Sequence, residues 1–266
     1  MEDWKIGRLI AKRNAGVPLA YLTGHKEFYG LDFLVNKHTL IPRPDTEMLV
    51  QEVLNKISPY AGEAHGEAGE GVRIMLIDVG TGSGCIPIAI QSQVTSYKLQ
   101  VTSFATDISK QALAIAKKNA KKHNADITFL CGHLLAPIQK LYPDTGQDLA
   151  CGLYNSTTLQ LYSHSIITAN LPYLTEEQFI TEPSIQHEPK YALVADNNGL
   201  ALYEELLIQI KNTVSSYVHH VSCFMEIDPS QSATMTKLIQ THFPHAGIEI
   251  KKDLAGNDRV VCVDFS

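Results

Sequence analysis

A four-residue segment, NLPY at residues 170–173, places hydrogen-bond acceptors beside a flat aromatic ring directly after an apolar run. The Asn170 side-chain oxygen and the Leu171 carbonyl can each accept an N–H bond, and Pro172 stiffens the turn. The Tyr173 ring can lie against a planar group. An NH₂ group on an sp² carbon is a poor nucleophile because its lone pair is delocalised, so such a clamp would orient it for reaction. The segment predicts a site that holds a planar amide or amine nitrogen, and the alternative is a strand-ending Asn-x-Pro turn.

A glycine-rich loop, DVGTGSG at residues 78–84, follows an apolar strand and precedes a helical stretch. Its glycines let the backbone turn sharply and approach a ligand. The Gly-x-Gly-x-Gly spacing differs from the nicotinamide-type fingerprint, whose glycines occupy the first, third and sixth places. The Asp78 carboxylate suits a sulfonium better than a pyrophosphate, so the loop predicts a site for S-adenosylmethionine. The predicted cofactor contacts in the loop are Asp78, Gly80, Thr81, Gly82, Ser83 and Gly84.

A second acidic residue, Asp107, stands at the end of the next predicted strand. At that position its carboxylate can accept hydrogen bonds from ribose hydroxyls. Asp107 could instead serve only as the N-terminal neighbour of the helix that Ser109 opens. Together with the glycine loop, the strand and the helix, Asp107 favours a cofactor site.

The elements that must position these residues alternate between strand and helix from Arg73 onwards. This alternation predicts a parallel sheet with crossover helices, whose carboxyl edge binds ligands. The last two strands are closely linked and are predicted to be partly antiparallel. The predicted strands are 73–77, 101–105, 127–131, 166–169, 221–227, 248–250 and 260–263, and the predicted helices begin at Cys85, at Ser109 and after Ser230.

The N-terminal part of the chain has a different pattern. A helix is predicted over 5–15, a small hairpin over 28–35, and a further helix starting at Asp45 and Thr46. We therefore predict a short N-terminal segment at 1–44 and a methyltransferase-type domain at 45–266. Residues 62–71 are predicted to form a surface loop, and the polar residues 142–163 an insertion to which the sequence assigns no role.

Composition narrows the class of protein. The chain has 266 residues, 44% of them hydrophobic, with a net charge of −6, no apparent signal peptide and no long apolar run, so a cytoplasmic protein without membrane contact is predicted. The five cysteines and eleven histidines show no metal-binding spacing, so no metal site is predicted. The acidic balance disfavours direct nucleic-acid binding.

Several motifs together resemble the N5-glutamine methyltransferases, which modify the Gln of the Gly-Gly-Gln motif in peptide-chain release factors. The resemblance covers nearly the whole chain, from about Gly16 to Val263. LIPRPDTE ahead of DVGTGSG separates this family from adenine-N6 DNA methyltransferases, which share an Asn-Pro-Pro-Tyr-like clamp. The motifs are GVPLAYLTGHKEF (16–28), LIPRPDTE (40–47), DVGTGSG, ATDIS, NLPY, EPKYAL (188–193) and DLAGNDRVV (253–261).

The resemblance implies a Rossmann-like, seven-stranded class I methyltransferase fold of α/β class, with a mostly parallel sheet and an antiparallel final strand. It implies S-adenosylmethionine as cofactor and a release factor as protein substrate. The glycines from Gly80 to Gly84, Asp107, Leu134 and Asn170 would contact the cofactor. Residues 170–173 would hold the glutamine, with Arg43 bordering the site.

Three positions depart from the family pattern. Leu171 replaces the usual proline, which predicts a looser turn. Gly132-His133-Leu134 stands where the family often has an acidic residue, so a contact near the adenine is expected to differ. The helical N-terminal domain is shortened, so weaker docking of the release factor is expected. The alternatives left open are a ribosomal-protein glutamine, a nucleic-acid amine of the adenine-N6 type, or a cofactor-binding module with reduced activity.

Overall fold

The structure is a computed structural model that describes residues 3–62, 72–95, 99–141, 162–214 and 220–265. The strands are β1 (His25–Phe28), β2 (Leu31–Leu34), β3 (Arg73–Val79), β4 (Gln100–Asp107), β5 (Ile127–Cys131), β6 (His164–Ala169), β7 (Val221–Glu226), β8 (Gly247–Lys252) and β9 (Asp258–Phe265). The helices are α1 (Asp3–Asn14), α2 (Leu19–Thr23), α3 (Glu47–Ile57), α4 (Cys85–Val94), α5 (Lys110–Lys122), α6 (Ala136–Leu141), α7 (Glu176–Thr181), α8 (Asp196–Gly199), α9 (Ala201–Val214) and α10 (Ser232–His242).

Strands β3 to β9 form one seven-stranded sheet in the order β5-β4-β3-β6-β7-β9-β8. Neighbours from β5 to β7 are parallel, while β9 runs antiparallel to both β7 and β8. The predicted mostly parallel sheet with an antiparallel final strand is confirmed. The chain moves outward from β3 to β4 and β5 and then returns to the other side of β3 with β6. This reversal is the topological switch point, where open α/β sheets bind ligands.

Helices cover both faces of the sheet, which explains why the central strands are continuous apolar runs. One core cluster packs α9 and α10 against the sheet, with Tyr203, Leu206 and Ile210 fully buried. The other packs α3 and α4 on the opposite face, around residues such as Leu49 and Ile88. The sheet is thereby held rigid, and its carboxyl edge becomes a fixed platform for loops.

The N-terminal hairpin begins earlier than the predicted range of 28–35. Strands β1 and β2 pair from His25 to Leu34, and the turn consists of Tyr29 and Gly30, whose φ angles are 51° and 73°. Two consecutive residues with positive φ are typical of a tight two-residue hairpin turn. The polar run of β1 hid the first strand, because only Phe28 of that strand is buried. Asn119 of α5 ties the hairpin to the body by bonding both the N–H and the carbonyl of Leu34.

Two predicted segments lie wholly or largely outside the described residues, namely 63–71 of the glycine- and glutamate-rich loop and 142–161 of the polar insertion. The boundary at residue 44 stays a prediction. Within the described part of the chain, no helix combines the length and apolar character needed to cross a membrane.

Candidate active site

The glycine loop after β3 folds back onto the end of β4. The Gly80 and Thr81 N–H groups both donate to the Thr106 carbonyl at 2.9 Å. Gly80, Gly82 and Gly84 have φ angles of 73°, 55° and 81°, a backbone region that residues with a Cβ rarely adopt. A Cβ on Gly80 would lie 3.0 Å from the Leu171 side chain. The loop therefore requires glycine, and it brings the backbone next to the 170–173 segment.

Asp107 ends β4 and joins the glycine loop to helix α5. One carboxylate oxygen accepts the Gly82 N–H at 2.8 Å and the other accepts the Ser109 N–H at 2.7 Å. Burial raises the pKa of Asp107, while the two backbone N–H donors oppose that rise. The side chain is 9% exposed and faces a cavity. Asp107 therefore does both things that the sequence allowed: it bonds the backbone at the start of helix α5, and it lines the cavity.

Asp78 is fully buried beneath the loop. One of its oxygens accepts the Thr168 hydroxyl at 2.7 Å. Burial, the largest cause, raises the pKa of Asp78 to about 7. Thr81 and Ser83 are also buried, so these three predicted contacts lie within the loop and outside the cavity lining.

An open cavity lies at the switch point. Of the residues predicted from the sequence, it is lined by Gly80, Gly82, Asp107, Leu134, Asn170, Leu171 and Pro172. The structure therefore brings the glycine loop, the acid at the end of β4 and three of the four predicted clamp residues to one place, while Tyr173 lies outside the cavity lining.

The cavity walls fit a nucleoside with a short polar tail. Ile108, Ala112 and Leu134 offer apolar surface for a planar base, and Asp107 offers acceptors for sugar hydroxyls. Leu134 holds a left-handed backbone with φ of 47°. A Cβ on Gly132 would lie 2.4 Å from Pro137, so glycine is needed there for close packing. The residues present thus suit the predicted cofactor, S-adenosylmethionine.

The predicted clamp is held from behind by buried polar groups. The Asn170 NH₂ group donates to the Thr46 hydroxyl at 3.1 Å and to a Glu226 carboxylate oxygen at 3.0 Å. A carboxylate can only accept, so it fixes which end of the amide faces it. The Asn170 oxygen is then the end turned away from Glu226 and available to a ligand.

Tyr173 and Leu171 are anchored by the same part of the molecule. The Tyr173 hydroxyl donates to the other Glu226 oxygen at 3.1 Å, and burial raises the pKa of Tyr173 above its ordinary value. The Leu171 N–H donates to the Tyr203 hydroxyl at 3.3 Å. Proline has no N–H, so this bond exists only because leucine occupies the position. The Leu171–Tyr203 hydrogen bond restrains this turn, which would otherwise be looser with leucine than with proline.

Sequence comparisons match this chain to a known family. The Methyltransferase small domain family matches residues 70–144. A release factor glutamine methyltransferase of Bacillus anthracis is 34% identical over 266 residues, covering 99% of this chain and 82% of the relative. The chain belongs to the release factor glutamine methyltransferase family. A member from Enterococcus faecalis is 32% identical over 265 residues, covering 99% of this chain and 81% of its own length.

A solved structure supports the fold of this family member. The human Mettl16 catalytic domain in complex with MAT2A 3'UTR hairpin 6 superposes with a TM-score of 0.56 at 15% identity, covering 90% of this chain and 76% of that one. At this identity the likeness concerns the fold alone. The predicted class I methyltransferase fold is confirmed.

Arg43 in this family member lies outside the cavity lining. Its guanidinium pairs with Glu188, whose side chain is only 1% exposed, and Glu188 also accepts the Ile41 N–H at 3.0 Å. Arg43 therefore ties the LIPRPDTE motif to the EPKYAL motif. Its role as a substrate contact stays a prediction.

The structure adds residues that the sequence did not single out as site residues. Tyr191 lines the cavity, and its hydroxyl lies 3.3 Å from both the His38 carbonyl and the Ser109 hydroxyl. His133 also lines the cavity and bonds Glu205 at 2.6 Å. Two features of the sequence could have pointed to these residues: Tyr191 belongs to the EPKYAL motif, and His133 belongs to the 132–134 segment that departs from the family pattern. The other added lining residues are His38, Leu40, Ile108, Ala112, Gly132, Ala192 and Leu202.

Replacing Tyr191 with phenylalanine removes the hydroxyl that joins both sides of the cavity mouth. We expect S-adenosylmethionine to dissociate about three- to tenfold faster, which is the range that loss of one hydrogen bond produces. Stopped-flow displacement of the bound cofactor measures this rate. Tyr29→Phe is the matched control, because its hydroxyl bonds Gln51 away from the cavity. Equal dissociation rates for Tyr191→Phe and the wild type would show that the hydroxyl does not retain the cofactor.

Proposed function

We propose that this chain transfers a methyl group from S-adenosylmethionine to the side-chain amide nitrogen, N5, of the glutamine in the Gly-Gly-Gln motif of a peptide-chain release factor. The observation that carries the proposal is the fixed orientation of Asn170 at the wall of the cofactor cavity. Family membership supplies the acceptor class. Release factors act in the cytoplasm, which is where we place the reaction.

When bound, S-adenosylmethionine supplies an electrophilic methyl group. The protein's task is to present the amide nitrogen with its lone pair directed at that methyl. In the proposed mechanism the Asn170 oxygen and the Leu171 carbonyl accept the two amide N–H bonds, and the Tyr173 ring supports the amide plane. Most of the rate gain then comes from orientation and from exclusion of water, without a strong general base.

The same geometry supports a proposed set of cofactor-binding residues. Gly80 and Gly82 bring the loop backbone to the cavity, Asp107 offers acceptors, and Leu134 contributes apolar wall. Asp78, Thr81, Ser83 and Gly84 act by shaping the loop from below. In this assignment Arg43 borders the acceptor entrance and acts through its pair with Glu188.

The clamp explains selection of glutamine over glutamate. Both clamp atoms are acceptors, so a carboxylate in place of the amide would be repelled. A planar amine of a nucleic-acid base would satisfy the same two acceptors. The charges around Tyr173 favour a protein acceptor, because the acidic groups Glu226 and Asp228 outnumber Arg259 there. Negative charge beside the acceptor disfavours the phosphates of a nucleic acid, whereas a protein segment tolerates it.

Transfer of labelled methyl from S-adenosylmethionine tests the proposal. Intact release factor, ribosomal protein and DNA or RNA are offered separately, at equal concentration and matched salt. We expect label on the release factor only. Label on nucleic acid or ribosomal protein with the release factor unmodified would overturn the proposed acceptor. Cofactor binding without transfer to any of them would indicate a binding module.

A further inference from the structure

Glu226 is a buried carboxylate behind the clamp that neither the sequence motifs nor the proposed chemistry assigns a role. It is the last residue of β7 and is 1% exposed. One carboxylate oxygen accepts the Asn170 NH₂ group at 3.0 Å, and the other accepts the Tyr173 hydroxyl at 3.1 Å. Its backbone carbonyl accepts the Tyr203 hydroxyl, which in turn accepts the Leu171 N–H. Three of the four clamp residues therefore depend on this one residue.

We propose that Glu226 is the positioning residue of the acceptor clamp: its carboxylate fixes the Asn170 amide with the oxygen facing the substrate and strengthens that oxygen as a hydrogen-bond acceptor. This inference rests on the proposed function of residues 170–173. Glu226 lies behind Asn170, so its influence on substrate passes through Asn170 and Tyr173.

The orientation argument depends on which groups surround the Asn170 amide. The terminal torsion of an asparagine is broad and nearly two-fold, so the amide can be flipped at little intrinsic cost. The Thr46 hydroxyl can donate or accept, so it fits either orientation. An ionised Glu226 can only accept, and a flipped amide would set oxygen against oxygen at about 3.0 Å. A flipped Asn170 would also present N–H donors to a substrate NH₂, which can only donate through its hydrogens.

The charge of Glu226 also acts on the reaction. A carboxylate that pulls on the Asn170 N–H bonds polarises the amide and increases the negative charge on its oxygen, because linked hydrogen bonds strengthen one another. That oxygen holds the nitrogen that becomes positive during methyl transfer. A fixed negative group behind the clamp thus stabilises the developing charge without moving.

The ionisation of Glu226 is set by groups from several elements. Burial, the largest cause, raises its pKa, and Asp45 ahead of α3 raises it further. Two influences oppose this rise in pKa: hydrogen bonds with Thr46 and Tyr173, and the positive charge of Arg259 in β9. The Tyr203 hydroxyl of α9 faces the Glu226 carbonyl. Protonation removes the charge that polarises Asn170 and gives Glu226 a donor hydrogen, so activity should fall as pH drops through this raised pKa.

Two substitutions separate positioning from mere support of the fold. In Glu226→Gln the side-chain oxygen can still accept from Asn170 while the NH₂ group donates to the Tyr173 hydroxyl. We expect kcat within about tenfold of wild type and loss of the acid limb of the pH profile. In Glu226→Leu we expect kcat to fall by about 10²–10³-fold, with the Kd for S-adenosylmethionine within about threefold. Glu177→Gln, at an exposed position of α7, is the matched control.

A spectroscopic measurement tests the positioning role of Glu226 without a methyl-accepting substrate. With asparagine labelled with ¹⁵N, the Asn170 side-chain NH₂ signals should shift with pH in the wild type and stay constant in Glu226→Gln. An acid limb retained by Glu226→Gln, or wild-type kcat in Glu226→Leu, would overturn the proposal. If the wild type leaves the release factor unmethylated while the NH₂ signals still follow Glu226, the proposed function fails and the positioning role stands.

Discussion

Asn170→Ala is expected to lower kcat for release-factor methylation by about 10²–10³-fold, the loss typical of removing one fixed hydrogen-bonding group from a reaction centre. The alanine keeps the fold of the turn but removes the oxygen that accepts the substrate N–H. The glycine loop and Asp107 remain, so the Kd for S-adenosylmethionine should change by less than about tenfold. Single-turnover transfer and calorimetric titration of the cofactor measure the two quantities separately.

Asn170→Asp serves as the companion variant. It keeps an acceptor oxygen at the clamp but places a second carboxylate against Glu226 at the position now occupied by an NH₂ donor. Like charges at such close range are unfavourable, so we expect low activity here too, with partial recovery at lower pH as one carboxyl group becomes protonated. Wild-type turnover in Asn170→Ala would remove the clamp from the mechanism.

Asp107→Asn is expected to raise the Kd for S-adenosylmethionine about a hundredfold, equivalent to about 2.7 kcal/mol. The carboxylate accepts the Gly82 and Ser109 N–H groups through separate oxygens. An asparagine has only one oxygen, so its NH₂ group would face one of those donors, and the charged acceptor for the ribose hydroxyls would be lost.

Calorimetric titration of S-adenosylmethionine gives this Kd directly. Asp126→Asn is the matched control, because Asp126 is exposed and lies outside the cavity lining. The melting temperature of each variant shows whether the fold is retained. Wild-type affinity in a folded Asp107→Asn protein would mean that Asp107 serves only the loop and the start of α5.

The fold and the cofactor loop could be predicted because their signals are local in sequence. The glycine spacing of 80–84 and the strand–helix alternation reflect backbone geometry within a few residues of each position. The hairpin is harder to predict from the sequence, because its first strand is mostly polar. Its turn also includes Tyr29, a non-glycine residue with positive φ, which the sequence does not mark as a turn residue.

The support of the site could not be predicted in the same way, because it is made by contacts between distant residues. Glu226 lies 56 residues after Asn170 and looks like the end of an apolar strand. Strand register explains their meeting: Ala169 of β6 pairs with Met225 of β7, so the next residue of each strand lies at the same edge. Arg43 similarly meets Glu188 across 145 residues. Knowing that β6 and β7 are neighbours would have revealed Glu226.

The most direct test of the clamp is the position of the methyl group on the acceptor. Release factor is treated with the enzyme and S-adenosylmethionine, and the peptide that contains Gly-Gly-Gln is fragmented by mass spectrometry. A release factor with Glu in place of that Gln is treated in parallel. One methyl on the side-chain nitrogen of the Gln, and none on the Glu variant, is the predicted result. A methyl on another residue, or equal methylation of the Glu variant, would contradict it.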